Sequence, residues 1–208
     1  MPLIKKIELK DGVIGIWEKT ETLDFFNKLI KEYKDDSRYS RITFEKRKIE
    51  FLTVRALLRE LFGRPAKITY AENGCPYLDE ENLNISISHS ASLVAVMLHK
   101  NRAGIDIEEQ GRPVSTIAQK FMTEQELESI EELPEREDLI LLQWSAKEAI
   151  FKLAPEDGID FKTQIILAPF ARQDKGNLEA TFLYEGKEKP IKLNYQFIDG
   201  NALVWCHD

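Results

Sequence analysis

The residues best suited to chemistry fall in two segments, Gly104-Ile-Asp-Ile-Glu108 and Trp144-Ser-Ala-Lys-Glu-Ala-Ile-Phe-Lys152. On a strand, Asp106 and Glu108 point to one side, because side chains alternate with period two. On a helix, Trp144, Glu148 and Lys152 recur every four residues and stack on one face. Two rigid elements would then offer three carboxylates and a lysine. Hard divalent cations take oxygen ligands, often carboxylates together with substrate phosphate and water. A lysine ammonium can neutralise the phosphate charge left over. The pattern reads as metal-assisted phosphoryl chemistry, with Asp106, Glu108 and Glu148 as metal ligands. Plainer readings exist: a strand with Ile105 and Ile107 in the core and its acids facing solvent, and a helix-surface Glu148–Lys152 pair at i,i+4.

The elements that must position these residues follow from periodicity. Val13-Ile-Gly-Ile-Trp17 is strand-like, and Leu23, Phe26, Leu29, Ile30 and Tyr33 predict a helix from about Thr22 to Tyr33, broken at Asp35-Asp-Ser37. A second helix runs from about Ile42 to Leu61, with Ile49, Leu52, Ala56 and Leu57 inward and a stop at Phe62-Gly63-Arg-Pro65. Short strands follow at Ile68–Tyr70, Ile85–Ser88, Leu93–Leu98 and Gly104–Ile107, with a turn at Asn73-Gly74. The second half offers helices near Val114–Phe121, Thr123–Ile130 and Leu139–Leu153, the middle one opened by a Thr123-Glu-Gln-Glu126 capping box. Strands at about Gln164–Leu167, Glu179–Tyr184, Ile191–Phe197 and Ala202–Cys206 complete it. Helices with antiparallel strands, twice over, suggest two α+β halves, 1–108 and 109–208.

Composition narrows the function classes. A chain of 208 residues, 43% hydrophobic and 31% charged, suits an ordinary globular protein. A net charge of -7 argues against generic nucleic-acid binding, which needs a basic surface. The two cysteines, Cys75 and Cys206, form no disulfide framework and no metal-binding spacing. No signal-peptide core and no membrane-length apolar run is visible, so a cytoplasmic location is expected.

Four motifs occur in order: Asn84-Ile-Ser-Ile-Ser-His-Ser90, Gly104-Ile-Asp-Ile-Glu108, Phe121-Met-Thr-Glu-Gln-Glu126 and Trp144-Ser-Ala-Lys-Glu-Ala-Ile-Phe-Lys152. By these the chain resembles the 4'-phosphopantetheinyl transferases, in particular the long single-chain type that activates surfactin synthetase and other carrier proteins. The resemblance covers roughly Tyr70 to Leu153. It implies an α+β pseudo-dimer of two similar subdomains, each a small antiparallel sheet packed with helices, with the site in the cleft between them. It implies transfer of the 4'-phosphopantetheine arm of coenzyme A to a serine of an acyl or peptidyl carrier protein, releasing 3',5'-ADP. Magnesium, or manganese in its place, would be the cofactor, and the protein would act as a monomer.

The resemblance also assigns residues. Glu148 and Lys152 would be catalytic, one taking the serine proton and the other stabilising the phosphate. Ser88 and His89 would meet the 3'-phosphate of coenzyme A, along with Arg47 or Lys46 from the basic helix start. Lys147 would contact phosphate or carrier. Glu126 would be accessory, although its capping box is a sufficient explanation. Trp144 would anchor its helix by packing. Relatives often carry lysine where this chain has Cys75 between Gly74 and Pro76, so one phosphate-binding charge is missing. The carrier would dock around Gly111–Met122, with Arg112 attracting its acidic residues. Ser88 and His89 are sequence neighbours on a strand and point to opposite faces, so they form no nucleophile–base pair. The alternatives are a degenerate coenzyme A or carrier-binding module and another metal-dependent phosphate hydrolase.

Overall fold

A computed structural model describes residues 3–30, 36–78, 82–154 and 158–208. Tyr33 and Asp35, used above to place a helix and its end, lie outside them. The chain divides into two compact units, Met1–Lys100 and Asn101–Asp208.

In the first unit, β1 (Leu3–Leu9) and β2 (Gly12–Glu18) form a hairpin, followed by α1 (Leu23–Leu29), α2 (Ser37–Arg41) and α3 (Glu45–Phe62). Then come β3 (Ile68–Tyr70), β4 (Pro76–Leu78), β5 (Asn84–His89) and β6 (Leu93–His99). The main sheet is antiparallel in the order β1-β2-β6-β5, and β3 and β4 form a separate antiparallel pair. Thr22 caps α1 by accepting from the Phe25 amide, and Asp36 caps α2. The helix α3 ends at Gly63 with φ of 69°, a left-handed conformation that glycine adopts without a Cβ clash. Its inner face packs on β2 closely enough that a Cβ on Gly15 would lie 2.7 Å from Leu57 Cδ1. Trp17, Phe26, Leu52, Leu57, Val94 and Val96 build this unit's core.

The second unit begins with β7 (Ala103–Glu109), a 3-10 turn at Val114–Ile117, α4 (Ala118–Phe121), α5 (Glu124–Glu128) and α6 (Arg136–Leu153). It ends with α7 (Phe161–Gln164), β8 (Ile165–Leu167), β9 (Lys175–Tyr184), β10 (Lys187–Ile198) and β11 (Asn201–His207). Its antiparallel sheet has the order β7-β11-β10-β9-β8. Because β7 pairs along its length with β11, from Ala103–His207 to Glu109–Asn201, it belongs to the second unit. The division therefore falls ahead of β7 rather than after Glu108. Ile140, Leu142, Ala146, Ile150, Leu193 and Val204 lie in the second core.

The expected mixture of helices with antiparallel strands is present. The expected helix at 114–121 opens as a 3-10 turn behind Pro113, and the one at 123–130 is confined to α5. Strands β1 and β4 were not anticipated; β1 carries Lys5 and Lys6 side by side, which hides its alternation.

Candidate active site

The second unit brings the two chemical segments together. On β7, Asp106 and Glu108 are buried, so they are not the solvent-facing side of a surface strand. Helix α6 lies directly over the strand: a Cβ on Gly104 would fall 1.9 Å from the Ala149 carbonyl oxygen and 2.9 Å from the Leu153 amide nitrogen. Only a glycine permits that approach. The period-two face of β7 thereby meets the i,i+4 face of α6. Lys152 Nζ donates to Asp106 Oδ1 at 2.8 Å and to the Ile105 carbonyl at 3.0 Å. Trp144 Nε1 donates to Glu108 Oε1 at 3.1 Å. Arg112, four residues beyond Glu108, donates to the same oxygen.

These carboxylates feel one another. Burial pushes the Glu148 carboxyl above its ordinary value, Asp106 adds to the shift, and Lys152 opposes it. Burial likewise raises Glu108, again helped by Asp106 and opposed by Arg112 and Trp144. Desolvation disfavours the charged form, and neighbouring negative charge disfavours it further. Among the described residues, no group of three or more His, Cys, Asp or Glu side chains stands ready to hold a metal ion. Instead, the ammonium of Lys152 lies on Asp106 and the guanidinium of Arg112 on Glu108. The donor set itself fits a hard divalent cation: its candidate ligand atoms are oxygens only, and a dication would offset the burial and the mutual repulsion that raise Glu108 and Glu148.

Trp144 has two tasks. Its ring meets Phe121 edge-on at 5.0 Å between centroids and Phe161 at 6.0 Å, which is the anchoring expected. Its N–H also orients Glu108, a role the sequence did not reveal. Arg112, expected on the carrier surface, reaches back to Glu108 while also lining a cavity of about 210 Å³ with Pro113, Val114, Thr116, Ile117 and Trp144.

Lys147 and Glu126 are placed elsewhere. Lys147, expected to contact phosphate or carrier, has a side chain 0% exposed; its ammonium donates to Glu126 Oε2 at 3.0 Å and to the carbonyls of Phe121 at 2.7 Å and Phe161 at 3.2 Å. Glu126 completes the capping box with Thr123 and accepts from the Leu167 amide at 3.1 Å. The pair ties α5, α6 and the end of β8 together.

The first unit holds a second group. Ser88 is buried on β5, and the neighbouring His89 is partly exposed. His89 Nε2 lies 3.4 Å from Arg47 Nη1 and 3.7 Å from Glu50 Oε2. Burial pushes the imidazole pKa down, although Glu50 pulls it up. Lys19, at the end of β2, donates to the Ser90 carbonyl at 2.6 Å and lies 3.5 Å from Glu50. Neither Lys19 nor Glu50 was singled out from the sequence, since nothing local pairs them. A cavity of about 570 Å³ opens beside this group, lined by Phe44, Arg47, Glu50, Tyr70, Gly74 and His89 among others. Burial raises the thiols of both cysteines, Cys206 to about 12, which leaves neither suited to nucleophilic chemistry.

No curated protein matches the chain individually. A family model described as the 4'-phosphopantetheinyl transferase superfamily matches residues 102–205, half of the 208-residue chain and all the acidic and basic residues gathered between β7 and α6. The chain belongs to the 4'-phosphopantetheinyl transferase superfamily.

Proposed function

We propose that this protein transfers the 4'-phosphopantetheine arm of coenzyme A to a serine of an acyl or peptidyl carrier protein and releases 3',5'-ADP. The observation that carries this reading is the meeting of Asp106 and Glu108 on β7 with Trp144, Glu148 and Lys152 on α6. Asp106, Glu108 and Glu148 would hold magnesium or manganese, whose contribution is to neutralise charge on the pyrophosphate. Lys152, already beside Asp106, would turn its ammonium to the phosphate and stabilise charge as the bond breaks.

The carrier serine oxygen would attack the phosphorus that bears the pantetheine arm. The bond from that phosphorus to the bridging oxygen of 3',5'-ADP breaks, and the serine proton passes to Glu148, directly or through a water. Glu148 suits this role by its place, a carboxylate on α6 close enough to Asp106, Glu108 and Lys152 to feel their charges. Little covalent help is needed, because phosphoryl transfer depends chiefly on positioning and charge.

The 570 Å³ cavity would take the nucleotide end of coenzyme A, with Arg47 and His89 at the 3'-phosphate, Ser88 nearby, and Ile42, Phe51, Val54 and Ile87 as apolar walls. The carrier would dock on Gly111–Met122, where Ile117 is exposed and the smaller cavity lies. Action as a monomer in the cytoplasm, without nucleic acid, completes the reading. No described helix is long and apolar enough to cross a membrane.

The test is release of 3',5'-ADP from coenzyme A, followed by chromatography with and without an apo carrier. Release that requires the carrier and is lost in Glu148→Gln supports transfer. Equal release without a carrier would instead indicate a phosphate hydrolase.

A further inference from the structure

Glu50 is the only acid among the described residues lining the larger cavity, where Arg41, Arg47 and Arg55 also stand. Its side chain is 7% exposed, yet it sits within reach of three basic groups. Oε2 accepts from Arg47 Nη1 at 2.9 Å and lies 3.7 Å from His89 Nε2. Oε1 lies 3.5 Å from the nearly buried Lys19 ammonium, which also donates to the Ser90 carbonyl. The same Arg47 nitrogen that meets Glu50 faces His89 at 3.4 Å. The cation best placed for an anionic ligand is therefore already matched to a protein carboxylate.

We infer that Glu50 is a specificity-determining residue: by engaging Arg47 and Lys19, it limits how much the cavity gains from a terminal 3'-phosphate on the nucleotide it binds. The inference rests on the reading of this cavity as the nucleotide site of coenzyme A. Charges interact more strongly in partly buried surroundings than in water, so a carboxylate in the wall opposes an incoming phosphate while drawing field from Arg47. Two further features act in the same direction. Cys75 supplies no charge beside Gly74, and burial favours the neutral form of His89. Arg55 adds less than its charge suggests, because its guanidinium packs 3.2 Å from the Phe51 ring centroid and donates to the Phe51 carbonyl.

The experiment compares dissociation constants of 3',5'-ADP and 5'-AMP by calorimetry on the full chain, without carrier or turnover. Wild-type protein is expected to prefer 3',5'-ADP by about tenfold or less, a difference near 1.4 kcal/mol. Glu50→Gln keeps an acceptor for Arg47 but removes the charge, and should raise the preference by about fivefold or more. Arg47→Gln changes a largely exposed side chain and leaves the buried acid in place. It should lower the preference by less than about threefold, because that guanidinium is already compensated. An unchanged or smaller preference in Glu50→Gln, or a loss of about threefold or more in Arg47→Gln, overturns the inference. Failure of wild-type protein to bind either nucleotide overturns the nucleotide-site reading as well, which separates the two failures.

Discussion

Lys147 provides the sharpest test of which basic residues are structural. Lys147→Met removes an ammonium with a side chain 0% exposed and three donated bonds, one of them the ion pair to Glu126. The Glu126 carboxylate would stay buried, still accepting from the Thr123 amide at 2.8 Å and the Leu167 amide at 3.1 Å. Breaking a buried pair from one side costs roughly 3–5 kcal/mol, and the methionine chain keeps most of the apolar packing. With a urea slope of about 2 kcal/mol/M, the unfolding midpoint should fall by about 2 M. Urea titration followed by circular dichroism measures the change, and adding Glu126→Gln should recover about 1 kcal/mol or more through the coupling between the pair. Coenzyme A affinity of the folded variant should match wild type. A loss below about 1 kcal/mol, the scale of an exposed ion pair, together with weakened coenzyme A binding would refute this assignment.

Three further outcomes follow from the site. Gly104→Ala forces a Cβ into the α6 backbone at Ala149 and Leu153, and should cost about 3 kcal/mol or more; a melting temperature equal to wild type would contradict the close approach. Trp144→Phe retains the ring contacts but loses the bond to Glu108, and should lower kcat/KM by roughly tenfold with little loss of stability, a split that steady-state kinetics and melting curves read directly. Because Glu108 and Glu148 hold their protons more tightly in the folded chain, their burden on folding is full above the raised folded values and fades as pH falls towards the unfolded value of about 4.3. A divalent ion needs the deprotonated forms, so added magnesium should raise the melting temperature more at about pH 8 than at about pH 5.5; equal rises would contradict the ligand assignment.

The two faces that meet in the second unit were legible because each rests on a short period. Alternation along Gly104–Glu108 and the four-residue spacing of Trp144, Glu148 and Lys152 each define a face without reference to the other, and the glycine lets the faces meet. Lys147 was left between phosphate and carrier because it projects about 100° around the helix from Glu148, and no local pattern says that this direction leads to Glu126 and Phe161. The cap at Thr123 was legible from four residues, while the lysine completing it came from a different helix. Lys19 and Glu50 were not legible at all: they meet where the end of β2 approaches the start of α3, a long-range contact with no local pattern. Arg112 was read as a surface charge because the turn that carries it back onto Glu108 is not encoded in a motif.

The most direct test of the central claim is intact mass spectrometry of an apo carrier protein incubated with coenzyme A, magnesium and this protein. The account predicts a gain of one phosphopantetheine arm on the carrier, abolished by a chelator and by Asp106→Ala. An unchanged mass across fatty-acid and peptidyl carriers, from protein that binds coenzyme A, would contradict it.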